Sequence, residues 1–254
     1  MQDDLFRQLV DLIGSSNSIL FFTGAGVSTG SGIPDFRGPQ GLWKTRRPVY
    51  YQEFMTSEEA RRTYWEQKLE GWDRYRDAAP NPVHHAIARI EAAEKLLAVV
   101  TQNIDGLHAK AGTSPGRLIE LHGTMSEVEC QSCHRREKPD AYFKEFKTNN
   151  QPPQCSCGGF MKSATISFGQ NLRKEDLERA WQAADQADLV IALGSTLSVT
   201  PAAHVPLQAA ARGVPYVIIN SGATEHDTLS NVTLRLEGDV SDILPRAVEG
   251  ALFS

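Results

Sequence analysis

Four cysteines, all between Cys130 and Cys157, are the most concentrated chemistry in this 254-residue chain. Cys130-x-x-Cys133 and Cys155-x-Cys157 form two short thiol pairs about twenty residues apart, a spacing that suits a tetrahedral four-thiolate Zn²⁺ site. Such a metal folds a module too small to build its own core. A redox pair is the alternative use of the same thiols. The second pair has one intervening residue where ribbons usually have two, and Gly158-Gly159 just after it can relax the backbone, so metal retention with some strain is expected. With thiolate at every position the ion has no open site and is structural rather than catalytic.

A second concentration is Ile19 to Gly38, which reads ILFFTGAGVSTGSGIPDFRG. A buried strand that breaks straight into glycines is the first strand-to-helix turn of a doubly wound sheet, where backbone N–H groups and a helix N-terminus approach a pyrophosphate. Gly24 and Gly26 fit that approach, while Gly30 and Gly32 keep the following loop permissive. Two standard fingerprints nevertheless fail. GxGxxG needs glycine where Thr29 stands, and a P-loop needs a lysine that the stretch from Gly24 to Trp43 lacks. What remains is a glycine turn followed by Asp35, Phe36 and Arg37 on a loop of their own. Glycines that only make a sharp turn are the bland reading of the same residues.

The third set is Thr101-Gln102-Asn103-Ile104-Asp105-Gly106, two amides and a carboxylate within one turn. It can hold a carboxamide, a ribose hydroxyl and an ordered water, although Asn-x-Asp-Gly is also ordinary turn chemistry. His122, after the apolar run Leu118-Ile119 and Leu121, is either a general base or a satisfied core histidine. His84 and His85 sit at a helix start, and His108 follows the Asn103 loop.

These groups need a scaffold, and the apolar runs supply one. Ile19 to Phe22, Leu96 to Val100, Leu189 to Leu193 and Tyr216 to Ile219 alternate with helical patterns, which predicts an α/β fold with a parallel sheet covered on both faces. Val232 to Leu236 alternates and suits a sheet edge. Leu5, Leu9 and Leu12/Ile13 predict a leading helix, and Trp65, Leu69 and Trp72 place aromatics on a helix that ends at Ala79-Pro80-Asn81-Pro82. That excursion is too long for a crossover and reads as a lid or substrate-facing module. Thr23-Gly24-Ala25-Gly26, Thr101 to Asp105, Gly194-Ser195-Thr196 and Asn220-Ser221-Gly222 each follow a strand, so these loops should converge on one cleft.

The balance of 31 acidic and 26 basic residues, a formal charge of -5, argues against nonspecific nucleic-acid binding. No apolar run approaches the roughly 18 residues of a membrane span and no N-terminal signal is apparent, so a cytoplasmic protein without membrane or nucleic-acid partners is expected. Thiols gathered in one local device fit that compartment. Oligomeric state is not legible.

Taken together, GAGVSTGSGIPDFRG (24–38), Gly41-Leu42-Trp43, TQNIDGLH (101–108), Leu121-His122-Gly123, the cysteine pairs, Phe168-Gly169, GSTLSVTPAA (194–203) and Ile219-Asn220 resemble the sirtuin family in its order along the chain. The resemblance implies an NAD-dependent protein-lysine deacylase that yields nicotinamide, O-acyl-ADP-ribose and free lysine. It implies a Rossmann-like NAD-binding domain (1–37, 83–123 and 167–254), a cofactor loop and helical module (38–82) and a zinc-binding module (124–166). By the same resemblance Gly24, Ala25, Gly26 and Thr29 line the pyrophosphate and ribose pocket, with Asp35, Phe36 and Arg37 closing over it. Gln102, Asn103, Ile104 and Asp105 hold the nicotinamide ribose and carboxamide, with Asn103 and Asp105 counted as catalytic beside the base His122. Gly194, Ser195, Thr196, Asn220, Ser221, Gly222 and Val240 take the adenosine half. Ile166, Phe168 and a Ser198-Val199 strand border the channel for an acyl-lysine peptide.

Departures bear on the acyl group. The desuccinylating branch carries Tyr-x-x-Arg where this chain has Lys68-Leu69-Glu70-Gly71, so an acidic acyl group has no evident clamp unless Arg74, Arg76 or Arg46/Arg47 substitutes. Tyr64-Trp65, Gly71-Trp72 and Pro80 to His84 are closer to the class II branch. Ser167-Phe168-Gly169-Gln170-Asn171-Leu172-Arg173 replaces Phe-Phe-Gly-Glu-Asn-Leu-Pro, which widens the expected channel. Protein ADP-ribosyl transfer, which does not need the same base, and an NAD-sensing binding module are the rival functions.

Overall fold

The apolar runs form strands because each is bounded by turn residues and is too short for a helix. The computed structural model describes residues 2–36, 41, 44 and 46–253, so Arg37, expected to close over the cofactor, lies outside the described residues. In chain order the first half comprises α1 (Gln2–Ser15), β1 (Ile19–Thr23), a 3₁₀ segment (Ala25–Ser31), α2 (Tyr51–Thr56), α3 (Glu58–Asp77), α4 (Pro82–Ala92), β2 (Leu96–Thr101), α5 (Leu107–Lys110) and β3 (Leu118–Glu120). There follow β4 (Gly123–Cys130), β5 (Arg136–Glu137), α6 (Asp140–Asn149), β6 (Met161–Thr165), α7 (Lys174–Gln186), β7 (Leu189–Leu193), α8 (His204–Ala211), β8 (Tyr216–Asn220), β9 (Leu234–Glu237) and α9 (Val240–Phe253).

Six strands make one parallel sheet in the order β3-β2-β1-β7-β8-β9. Its faces are covered separately, by Leu9, Ile13, Ile87, Leu244 and Val248 of α1, α4 and α9 on one side, and by Ala180, Ala184, Val205 and Ala209 of α7 and α8 on the other. Both faces being dry explains the continuous apolar runs of β1 and β7, whose residues are all buried. β9 lies at the edge as its alternation predicts, with Leu234 and Leu236 turned inward and Glu237 exposed.

The helical and cysteine-bearing segments share one hydrophobic core. A second, antiparallel sheet, β5-β4-β6, packs Met125, Val128 and Met161 against Phe54, Tyr64 and Trp65 from α2 and α3. Trp72 of α3 stacks on Phe143 of α6 with ring centroids 4.3 Å apart, and Trp65 meets the same ring edge-on at 5.2 Å. The aromatic excursion therefore serves first as half of a core. Asn81 ends it by capping α4, its side chain accepting from Val83 N, with Pro82 in the first helical turn.

The glycine turn holds a correction. After β1 the chain enters a 3₁₀ segment instead of the expected α-helix, ended by Gly32 at φ 80°. The glycines also serve a purpose beyond access to phosphate. A Cβ on Gly26 would stand 2.7 Å from Gly194 Cα, and one on Gly24 would stand 2.7 Å from Gly194 O and 2.8 Å from Ser195 Cβ. Gly194 itself lies at φ 56°, its missing Cβ 2.6 Å from Val27 N. The loops after β1 and β7 thus touch backbone to backbone, joined by Gly24 N to Leu193 O (2.9 Å) and Gly26 N to Gly194 O (2.8 Å).

Gly26→Ala is expected to lower unfolding stability by about 1–3 kcal/mol through overpacking. Gly116→Ala, where a Cβ meets nothing within 4 Å, should stay within about 0.5 kcal/mol. Urea titration of both variants checks the contrast.

Candidate active site

The ends of β1, β2, β7 and β8 open on one side of the sheet, where their loops line a single cleft of about 1320 Å³. That exceeds the roughly 300–1,000 Å³ of an ordinary small-molecule site. Gly24, Ala25, Gly26, Thr29, Asp35, Phe36, Gln102, Asn103, Ile104, His122, Gly194, Ser195, Thr196, Asn220, Ser221, Gly222 and Val240 all line it. The four strand-end loops therefore meet as the sequence predicts.

The floor is built by side chains that hold one another. Asn103 Nδ2 donates to Gly24 O (3.1 Å) and Ser28 Oγ (3.1 Å), while Ser28 Oγ donates to Asp105 Oδ2 (2.7 Å). Gln102 Nε2 reaches Ser195 Oγ (2.9 Å), which ties the β2 and β7 loops together. Asp105 lines a small recess adjoining the cleft, shared with Ala25, Phe36, Asn103 and Ile104, and its carboxylate accepts from Ser28 Oγ and from Leu107 N (2.9 Å). Burial raises its pKa, and the Leu107 N–H and Ser28 hydroxyl oppose that rise.

His122 sits in the cleft wall on the turn between β3 and β4. Its Nδ1 lies 3.0 Å from Gln102 O. A carbonyl can only accept, so Nδ1 carries the proton and Nε2 is the basic nitrogen of the neutral ring. Gly123 makes this turn possible: at φ 72° its missing Cβ would stand 2.0 Å from Ala164 O. The neighbouring Ile166 N donates to His122 O (2.8 Å), placing the 166–168 segment beside the imidazole.

Beyond that segment the cleft is bordered by Ile166, Phe168 and Val199. The expected Ser198-Val199 strand is absent, and Ser198 is exposed and does not line the cleft. Ser195 Oγ accepts from Leu197 N (3.1 Å) and Leu197 adopts φ 56°, a local turn that cannot continue a strand. Of the proposed acid-binding arginines, Arg46 and Arg74 line the cleft, Arg46 paired with Glu70, whereas Arg47 and Arg76 are outside it and pair with Glu53 and Asp77. Lys68, named only as a departure, lies in the wall with its ammonium 5.5 Å from the Tyr64 ring centre, and burial lowers its pKa to about 8.

Several supporting residues carried no local signal. Ser28 is hidden among the glycines. Asn81, legible only as a helix breaker, donates Nδ2 to Val27 O (2.8 Å) and Ser31 Oγ (3.0 Å) and so holds the 3₁₀ segment. His84 and His108 are buried beneath the floor, 0% and 2% exposed. Burial first, then a neighbouring histidine, lowers their pKa values to about 4 and about 3.

The four thiols form a separate centre. Their sulfurs all lie within 4.8 Å of one another, with Cys130–Cys157 at 3.5 Å and Cys133–Cys155 at 3.8 Å. Zn–S bonds of about 2.3 Å in a tetrahedron require sulfurs about 3.8 Å apart, so the residues fit zinc. Gly158 at φ 82° turns the short Cys-x-Cys loop, and a Cβ on Gly159 would stand 2.6 Å from Cys130 Sγ. None of the four cysteines lines the cleft, and a four-thiolate centre offers no open position.

Fold and cleft together define a Rossmann-like protein with a nucleotide-sized cleft at the strand ends and an inserted four-cysteine module. A model of the Sir2 family matches residues 24–201, and the chain belongs to that family. A protein named NAD-dependent protein deacetylase from Rhodopseudomonas palustris is 40% identical over 231 residues, covering 90% of this chain and 91% of that one. NAD-dependent protein deacylase 2 of Archaeoglobus fulgidus is 35% identical over 250 residues, covering 98% and 96%. The fold superposes on a solved complex described as Sir2, p53 peptide and NAD⁺ with a TM-score of 0.87 at 33% identity, covering 98% and 99% of the two chains.

Two outcomes follow. One zinc per chain should be found by elemental analysis, and chelation should unfold the shared aromatic core, seen as loss of near-ultraviolet dichroism from Trp65 and Trp72. Below pH 6.5 the unfolded chain protonates His84 and His108 while the folded chain does not until about pH 4 and 3, so stability falls as pH drops from 6.5 to 4. Urea midpoints against pH should fall less steeply in the His84→Asn/His108→Gln double variant.

Proposed function

We propose that this chain is an NAD-dependent protein-lysine deacylase that releases nicotinamide and gives O-acyl-ADP-ribose and free lysine. The observation that carries this reading is the placement of His122, fixed through Nδ1 to Gln102 O, between the Asn103 floor and the 166–168 segment of one cleft. A hydride-transferring dehydrogenase would carry the third fingerprint glycine where Thr29 stands, and a simple binding module has no need of the His122 tautomer to be set.

NAD supplies an electrophilic ribose carbon and a nicotinamide leaving group. Gly24, Ala25, Gly26 and Thr29 hold its pyrophosphate side, and Gly194, Ser195, Thr196, Asn220, Ser221, Gly222 and Val240 the adenosine side. Gln102, Asn103, Ile104 and Asp105 would hold the nicotinamide ribose and carboxamide, with Asp105 fixed by the hydroxyl of Ser28. Nε2 of His122 would accept the proton given up by a ribose hydroxyl, Nδ1 being held at Gln102 O. Asp35 and Phe36 cover the cofactor. Ile166, Phe168 and Val199 exclude water around the acyl-lysine, whose extended peptide lies between the 166–170 and 196–201 segments.

We divide the chain into an NAD-binding domain (1–37, 83–123 and 167–254), a cofactor loop and helical module (38–82) and a zinc module (124–166), the last two sharing one aromatic core. Among the described residues no helix is long and apolar enough to cross a membrane. Four clustered thiols favour a reducing compartment, and we place the enzyme in the cytoplasm.

His122→Ala should keep NAD binding while deacylation of an acetyl-lysine peptide falls by about 10²–10⁴-fold, the usual size of a general-base contribution. Mass analysis of products from labelled NAD separates the outcomes: O-acyl-ADP-ribose supports the reading, while ADP-ribose on protein, no nicotinamide release, or full activity of the variant overturns it.

A further inference from the structure

The face that α3 turns to the cleft carries Tyr64, Gln67, Lys68, Gly71, Arg74 and Tyr75, three or four residues apart as one helical stripe requires. Charge on this stripe is unbalanced. Glu70, the nearest acid in the chain, is exposed and pairs with Arg46. Among the described residues no carboxylate pairs with the half-buried Lys68 ammonium, which lies 5.5 Å from the centre of the Tyr64 ring. Burial lowers its pKa and no acid opposes the fall. A cation drawn out of water without a counter-ion is uncommon, because lost hydration is normally offset by a partner.

A second cation adds to the local field. Lys162, 1% exposed, also lies 5.5 Å from the Tyr64 ring centre, and its ammonium donates to Ser163 O (3.3 Å) and Thr165 O. The charge of Lys68 acts against that of Lys162, with Glu129 opposing. The Tyr64 hydroxyl is 3.5 Å from Thr165 Oγ1, and Thr165 precedes Ile166, whose N–H donates to His122 O. Lys68 therefore stands one aromatic ring away from the segment that borders the acyl-lysine and the base. Room beside it is left by Gly71, three residues on, where a Cβ would meet only the Tyr75 ring, at 3.5 Å.

We propose that Lys68 determines acyl specificity, and that the acyl group removed ends in a carboxylate, as in succinyl- or glutaryl-lysine, which the Lys68 ammonium pairs. This deepens the deacylase reading and rests on it. The bonds exchanged are those of that reaction: nicotinamide leaves NAD, the acyl group passes from the lysine nitrogen to a ribose oxygen, and one water is consumed. The terminal carboxylate takes no part in these steps. It supplies the counter-ion that the wall lacks, in a place where exclusion of water strengthens the pair. Arg74 also lines the cleft, but it is exposed and its charge is screened.

Succinyl and butyryl peptides of one sequence carry acyl chains of equal carbon number and differ in terminal charge. With nicotinamide release as readout, kcat/KM for the succinyl peptide should exceed that for the butyryl peptide by about tenfold to a hundredfold, the range of one charge-assisted hydrogen bond. Lys68→Met should bring this ratio to one or below, Lys68→Arg should keep it above one, and Lys68→Glu should invert it. A wild-type ratio at or below one overturns the proposal, as does a ratio unchanged in Lys68→Met or lost only in Arg74→Gln. If Lys68→Met does not fold, Lys68→Gln carries the same comparison. Fluorescence anisotropy of labelled peptides separates this inference from the reading beneath it. Tighter binding of the succinyl peptide, lost in Lys68→Met, without nicotinamide release from any peptide would uphold the charge pairing and overturn the deacylase reading. Turnover of the butyryl peptide with no succinyl preference in binding or rate would do the reverse.

Discussion

The cleft depends on one close contact, the backbone of Gly24–Gly26 against Gly194 and Ser195. Parallel strands arrive about 4.8 Å apart, and loops bearing side chains must diverge as they leave them. Here the missing Cβ atoms let the loops after β1 and β7 remain in contact past the sheet edge. The loop from β2 then closes on the same place, Gln102 reaching Ser195 and Asn103 reaching Gly24. A larger residue at any of the three glycines would splay the walls and remove the floor with them.

Polar groups in that floor are spent on each other. Ser28, Asn103 and Asp105 satisfy one another in a region almost closed to water, where a hydrogen bond is electrostatically stronger and a lost one more costly. This is preorganisation in the ordinary sense: dipoles are oriented by the fold, so little rearrangement remains when a ligand enters. His122 is treated alike, since the carbonyl of Gln102 selects the ring nitrogen that holds the proton. The same strand end therefore supplies both the amide floor and the tautomer of the base.

Much of this was readable in the chain and some was not, for reasons particular residues make plain. Continuous apolar runs revealed β1, β2, β7 and β8, because strands dry on both faces leave a signal in every residue. The cysteine spacing revealed the metal module. The 3₁₀ segment was read as a helix start, since glycines announce a turn but not its winding. The Ser198-Val199 strand was implied by resemblance alone, and no local pattern announces the turn before it, where Leu197 N donates to Ser195 Oγ and Leu197 takes φ 56°. The cofactor role of Asp105 rests on resemblance, and its local turn does not reveal Ser28, which arrives from 77 positions away to donate to its carboxylate. Asn81, His84 and His108 owe their parts to contacts across long separations, which no local pattern encodes.

The stacking of Trp72 on Phe143 joins α3 to α6, the cleft-lining helix to the metal-bearing insert. Tyr64 and Lys68, which face the cleft, stand on the same helix as the aromatics buried against that insert. Because neither side of this core is complete without the other, the two inserts form a single packing unit. Recombination between relatives that exchanged one and kept the other would juxtapose mismatched aromatic surfaces. Chimaeras that move both together preserve the packing, since a change of ring size on one side of the α3–α6 seam calls for a compensating change on the other.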